Sequence, residues 1–273
     1  MPIYPQNLHT HGTFCDGRYE YEETVKHAIE LGFESIGFSG HSYTSFDLEP
    51  CMTLENTILY KKRIAELKEK YNGIIDIFCG IEFDVFSEDN PAEYDYVIGD
   101  AHYIKKDNEY LVIDYSNPNT LVEIIDKYYG GDGLKCAKDY YETMTLVTTL
   151  SKCDIVGHFD LITKHCEKHN LIDTSSKLYK NYALESITTI AKKIKVFEIN
   201  VGAIARGYRY TPYPAPFILK RIKELGCGVV ISSDCHDISY LNTNFDVGIE
   251  LAKSCGFNEV LILTKEGFKG FKI

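Results

Sequence analysis

The sequence predicts a parallel α/β fold closed as a barrel within one domain. Short apolar runs alternate with amphipathic stretches along the chain, the mark of a repeated strand and helix unit. The length of 273 residues suits one barrel of about 250 residues. Almost every polar residue of chemical interest also falls at the C-terminal end of an apolar run, where a barrel gathers its active site. No linker, low-complexity tract or fixed-period repeat interrupts the pattern, so one domain over residues 1–273 is expected.

The predicted strands, in order, are Ile3 to Leu8, Ser35 to Ser39, Ile74 to Ile81, Tyr94 to Ile98, Ile155 to Val156, Val196 to Ile199, Val229 to Ser232 and Val260 to Leu263. Helical spacing fills the gaps. Leu54, Ile58, Ile64, Leu67 and Tyr71 predict one apolar stripe, with Lys61, Lys62, Glu66 and Lys68 on a solvated face. A further helix is expected over Asp132 to Leu150, after the Gly130-Gly131 break. Pro212, Pro214 and Pro216 mark a loop before a helix over Phe217 to Leu225.

Composition narrows the function classes. No apolar run approaches the ~20 residues that span a bilayer, and MPIYPQNLHTH lacks the basic and apolar regions of a secretory signal, so a cytoplasmic location is expected. The net charge of −11 argues against general affinity for nucleic acid. A small anionic substrate stays compatible, because bound divalent cations dominate a local field. The nine cysteines form no CxxC pair and cannot all pair within one chain, which favours reduced thiols.

Three histidine clusters end apolar runs: HTHGTFCD at His9 to Asp16, GFSGH at His41 and ISSDCH at His236. On a strand, the HxH pair sends both rings to one face, close enough to share a metal. Six of the nine histidines (His9, His11, His41, His102, His158 and His236) fall at the expected rim. His27 falls on a helix as surface or core filler, and His165 and His169 lie in a polar stretch after a strand. Glu82 follows IIDIFCGI and is placed to bridge two metals through its two oxygens. Asp234 follows VVISS and is expected to share a strand face with His236. Asp16 is either an oxygen ligand or a shaper of its CDG turn. Cys15 and Cys235 lie in these clusters, but His and Asp neighbours have the better spacing. Imidazole and carboxylate donors suit zinc, manganese or iron, in two or three ions.

The ordered set HTH, GH at His41, GIE at Glu82, AH at His102, GHFD at His158, EIN at Glu198 and SSDCH resembles the PHP (polymerase and histidinol phosphatase) superfamily, and more closely its histidinol-phosphate phosphatase branch. The resemblance runs from His9 to His236. It implies a distorted TIM-like (β/α)7 barrel and a trinuclear centre. By that likeness His9, His11, Glu82 and Asp234 hold one metal, Glu82, His102 and His158 a second, and Asp16, His41 and His236 a third. Arg206, in EINVGAIARG, resembles the branch's phosphate-binding arginine. Lys164, in GHFDLITK, stands where such enzymes carry arginine, a departure that replaces a bidentate fork with a point charge. Arg18, just beyond Asp16, is a third candidate for the substrate.

The activity these readings imply is metal-dependent phosphate monoester hydrolysis, with a metal-bridging hydroxide as nucleophile. Arg206 binds phosphate, and Asp234 or a metal-bound water carries the proton to the leaving alcohol, while His236 is either a ligand or the general acid. The substrate implied by resemblance is L-histidinol phosphate, of histidine biosynthesis, with Tyr43, Phe46 and Asp47 near its organic portion or packing the loop. The alternatives are a phosphoesterase of the same superfamily acting on another small ester or a nucleotide, and a non-catalytic metal-binding module.

Overall fold

The computed structural model describes residues 4–273. Its elements run β1 (Gln6–Asn7), α1 (Tyr21–Glu30), β2 (Ser35–Phe38), α2 (Leu54–Lys70), β3 (Asp76–Asp84), β4 (Tyr96–Asp100), β5 (Tyr103–Lys106), β6 (Glu109–Val112), α3 (Pro118–Tyr129) and α4 (Gly133–Met144). They continue with β7 (Ile155–Val156), α5 (Cys166–His169), α6 (Lys177–Ile190), β8 (Val196–Asn200), α7 (Gly202–Ala205), α8 (Pro216–Glu224), β9 (Gly228–Ser232), α9 (Phe245–Ser254), β10 (Glu259–Thr264) and β11 (Gly267–Lys272).

Seven strands form one sheet in the order β1-β2-β3-β4-β7-β8-β9, and every neighbouring pair is parallel. Just past β1 and β9 the outer strands meet. Thr10 bridges Cys235, through His11 N to Cys235 O and Cys235 N to His9 O. This contact bends the sheet into a nearly closed, distorted TIM-like barrel, and it joins two of the three histidine clusters at the rim.

Alternation along the strands builds two cores. Ile36, Phe38, Ile77, Ile81, Val97, Phe197 and Ile231 pack outward against the helices. Leu8, Phe78, Tyr96, Ile98, Ile155, Val196, Val230 and Leu263 fill the interior. Tyr96 occupies the middle, where its hydroxyl donates to the carbonyls of Leu8 and Phe38. Glycines make room for it: a Cβ on Gly80 would lie 2.2 Å from the Tyr96 ring, and one on Gly37 would lie 2.3 Å from its hydroxyl.

The helices start where local chemistry says they should. Glu20 and Glu23 cap α1 reciprocally, Thr53 caps α2, Asp132 caps α4 and Ser176 caps α6. The expected stripe on α2 needs correction at its first two positions. Thr57, Tyr60, Ile64 and Leu67 are buried, whereas Leu54 and Ile58 are exposed. Tyr60 turns inward because its hydroxyl donates to the carbonyls of Phe38 and Gly80.

Of the predicted strands, Ile3 lies outside the described residues and Val260 to Leu263 lies outside the barrel sheet. β10 instead pairs antiparallel with β11, and Leu263 plugs the lower end of the interior. The buried Gln6 side chain bonds both Leu263 N and Leu263 O, tying that hairpin to β1. The β5–β6 hairpin was not legible as such; it turns through Asp107 and Asn108, both at positive φ, as a tight two-residue loop requires. Among the described residues, no helix is long and apolar enough to cross a membrane.

Candidate metal centre

The nine residues marked as ligands meet at the C-terminal rim of the barrel. Glu82, at the end of β3, is their hub. Its Oε1 lies 3.1 Å from His9 Nε2, 3.4 Å from His102 Nε2 and 2.9 Å from His158 Nε2. Its Oε2 lies 2.9 Å from His41 Nδ1 and 3.4 Å from His11 Nε2. Asp234 Oδ1 faces His11 Nε2 at 3.3 Å and His9 Nε2 at 3.6 Å. Asp16 Oδ2 lies 3.2 Å from His236 Nε2 and 3.8 Å from His41 Nε2.

Three sets of donor atoms come within 4.8 Å of one another: His9, His11 and Asp234; Glu82, Asp100, His102 and His158; and His11, Asp16, His41 and His236. His11 belongs to two of them, and Glu82 reaches the first from the second. No cysteine is a member. Cys15 Sγ instead lies beside Gly12 O, and Cys235 Sγ donates to Asp237 O.

Buried polar atoms normally find partners, and an orphan costs several kcal/mol in an apolar surround. Here His9 Nε2, His11 Nε2, Glu82 Oε2 and both oxygens of Asp100 are buried without a hydrogen bond. Imidazole lone pairs and carboxylate oxygens left bare at this spacing fit divalent cations, and the nitrogen and oxygen donors suit zinc, manganese or iron.

The electrostatics agree. Burial disfavours charge on His9 and His102, yet nearby carboxylates raise both well above the usual imidazole range. Burial likewise opposes ionisation of Glu82 and Asp234, but His9 with His41, and Arg206 with His9, hold these carboxyls well below their ordinary values. Two groups break the pattern. His236 is lowered, by burial and by His11, and Asp100 is pushed up to about 6, chiefly by burial.

Second partners orient the rings. His9 Nδ1 lies 2.6 Å from Glu198 Oε1, which leaves Nε2 facing the centre. Glu198 Oε2 also accepts from His158 N, so one carboxylate sets two ligand segments. His236 Nδ1 lies 3.0 Å from Asp234 O; donation there leaves a lone pair on Nε2, which suits a ligand and not a general acid. Asp234 is itself held at φ +49, beyond the end of β9, so it and His236 do not share a regular strand face.

A cavity of about 330 Å³ opens over these groups. Arg206 lines it, with Nη2 donating to Asp234 Oδ2 at 2.8 Å and Nη1 to Asp234 O at 2.6 Å. Lys164 also lines it, but Nζ is engaged by Asp114 Oδ1 at 2.5 Å and lies 4.4 Å from the Tyr208 ring centroid. Arg18 stands at the mouth, 73% exposed and paired with Asp237. Asp47 faces the cavity and accepts from Tyr103 Oη. Phe46 instead stacks on Tyr110, and neither Phe46 nor Tyr43 lines the cavity.

Sequence reasoning assigned no role to Asp100, Asp114 or Glu198. Glu198 stood inside a quoted motif, and Asp100 is one strand repeat before His102. Asp114 had no signal, because only the loop after β6 brings it to Lys164.

A Schizosaccharomyces pombe protein named "Probable histidinol-phosphatase" is 24% identical, over 97% of this chain and 90% of its own length. The crystal structure of hisK from Listeria monocytogenes superposes with a TM-score of 0.75 at 21% identity, covering 88% of this chain and 98% of that one. Histidinol phosphate phosphatase from Lactococcus lactis, solved with zinc, L-histidinol and phosphate, gives a TM-score of 0.71 at 17% identity, with 98% and 99% covered. A family model for the PHP domain matches residues 7–202, most of the chain, and this protein belongs to the PHP domain family.

Proposed function

We propose that residues 1–273 form one metal-dependent phosphoesterase domain that hydrolyses a small phosphate monoester, L-histidinol phosphate. The observation that carries the reading is the meeting of three imidazole and carboxylate sets with Arg206 at one cavity. His9, His11, Glu82 and Asp234 would hold one cation, Glu82, His102 and His158 a second, and Asp16, His41 and His236 a third. Such cations supply Lewis-acid charge neutralisation and a nucleophile at neutral pH.

The chain's own groups supply the rest. Arg206 has five N–H donors. Asp234 engages two of its nitrogens and fixes the guanidinium, and the remaining donors serve phosphate oxygens. Asp234 Oδ2 is taken by Arg206 and its carboxyl is held well below the ordinary value, which makes it a weak base; either it or a water would carry the proton to the leaving oxygen. Lys164 adds positive charge to the wall, with one of its three N–H donors taken by Asp114. Asp47, Tyr103 and Asp114 present a polar wall for the organic part.

Support for the substrate comes from the likeness, across nearly the full chain, to proteins named for histidinol phosphate. A cytoplasmic location belongs to the same proposal, since nine free cysteines suit a reducing compartment. The test is hydrolysis by metal-quantified protein of histidinol phosphate beside sugar and nucleotide phosphates. A preference for histidinol phosphate is expected. Activity confined to another ester rejects the substrate, and full metal occupancy without any hydrolysis rejects the enzyme.

A further inference from the structure

Asp100 ends β4, two residues before His102 and two after Ile98, which packs in the barrel interior. It is fully buried, and neither carboxylate oxygen has a hydrogen-bond partner. A buried carboxylate in that condition carries a desolvation cost of several kcal/mol unless a cation is near.

One bland role is to orient His102 from behind, since Asp100 Oδ1 lies 3.2 Å from His102 Nδ1. That role occupies one oxygen and leaves the other bare. It is also duplicated. Asp84 Oδ2 accepts from His102 N at 2.6 Å and lies 3.6 Å from the same Nδ1. A cation beside Asp100 accounts for the buried charge itself. Glu82, Asp100, His102 and His158 each offer one donor atom, and all four lie within 4.8 Å of one another.

We propose that Asp100 is a fourth protein ligand, with Glu82, His102 and His158, of one divalent cation in this centre. The inference rests on the metal-binding part of the proposed function and not on which ester is cleaved. Two carboxylates beside two imidazoles then give this position the same donor count as the one formed by His9, His11, Glu82 and Asp234. The added carboxylate suits Mn²⁺ as a probe ion for this position.

The experiment loads metal-free wild-type and Asp100→Asn proteins with Mn²⁺, removes the excess, and reads metal content by mass spectrometry and bound Mn²⁺ by electron paramagnetic resonance. Near-ultraviolet circular dichroism checks the fold. An amide oxygen still accepts from His102 Nδ1–H, so a purely orienting role predicts wild-type content and spectrum, and that result overturns the proposal. The ligand role predicts loss of one Mn²⁺ per chain, or at least about a tenfold weaker affinity for it, with the other ions retained. Should Asp100→Asn fail to fold, anomalous scattering from Mn²⁺-loaded wild-type crystals decides. An Asp100 oxygen within about 2.2 Å of an ion supports ligation; separation beyond ligand distance overturns it. Wild-type protein that takes up no divalent metal would sink the metal-dependent reading as well as this inference.

Discussion

On β4, Ile98 faces a dry interior shared with Leu8, Phe78, Tyr96, Ile155, Val196 and Val230, whereas Asp100, two residues further, faces carboxylates and imidazoles. The same step recurs on β8, from Val196 to Glu198, and from Val230 on β9 through Ser232 to Asp234. The lower layer is apolar and filled by Tyr96. The upper layer holds bare donor atoms and like charges that folding alone would not favour. His9, His11, Glu82, Asp100 and His158 are as buried as the lower layer, so the difference lies in what the buried atoms require: the lower layer needs only shape, and the upper layer needs cations.

If that division holds, the largest effect follows from Glu82→Ala. Removing the hub should abolish turnover and lower metal content in more than one position, measured by mass spectrometry on folded protein. Full metal content would break the comparison. Ile98→Ala tests the other layer and should destabilise the protein by about 2–5 kcal/mol, read by urea denaturation. Below its unfolding transition it should keep its metals, and metal loss without unfolding would show that the layers are not separable.

Arg206→Ala probes the edge of the upper layer. A loss of roughly 10²–10³ in kcat is expected, with metals retained and inhibition by inorganic phosphate weakened. Unchanged phosphate inhibition would remove Arg206 from substrate binding. A smaller effect is expected for Glu198→Gln, which keeps the shape but weakens the hold on His9. Metal affinity should fall about 10–100-fold, and an unchanged affinity would reduce Glu198 to a packing group.

The smallest effect concerns pH. In metal-free protein, burial opposes the charge on His9 and His102, but carboxylates raise both above the usual value. A raised histidine stabilises the folded state fully below the unfolded value of about 6.5 and loses that contribution as pH rises through the folded value. The urea midpoint of metal-free protein should therefore fall from about pH 6 to pH 9. Metal-loaded protein should move the other way in the lower part of that window, because ligation needs deprotonated rings. A flat profile for the metal-free protein would show that the upper layer stores no such charge.

Most candidate ligands were legible because they end apolar runs, and a strand end is a local property of the chain; Asp16, in its CDG turn, was marked by the resemblance. His9, His11, Glu82, His158 and Asp234 could be placed at the rim before any contact was known. Side-chain facing was less legible. Leu54 and Ile58 fit a helical period on α2 yet face solvent, since Tyr60 finds two strand carbonyls and turns the helix towards them. Arg18 and Lys164 have the charge for phosphate, but the fold pairs them with Asp237 and Asp114.

By itself, then, the sequence determined the parallel barrel class, the rim position of the histidines and their chemistry as nitrogen and oxygen donors. Periodicity and residue type are enough for those. The tertiary structure alone decided that β10 leaves the barrel to plug its floor, that Thr10 and Cys235 close the ring, and that Asp100 joins His102 and His158 around one point. Each of these depends on pairing between segments distant in sequence. Local patterning places a residue on a strand, whereas its neighbours across the barrel are set by strand order, register and curvature.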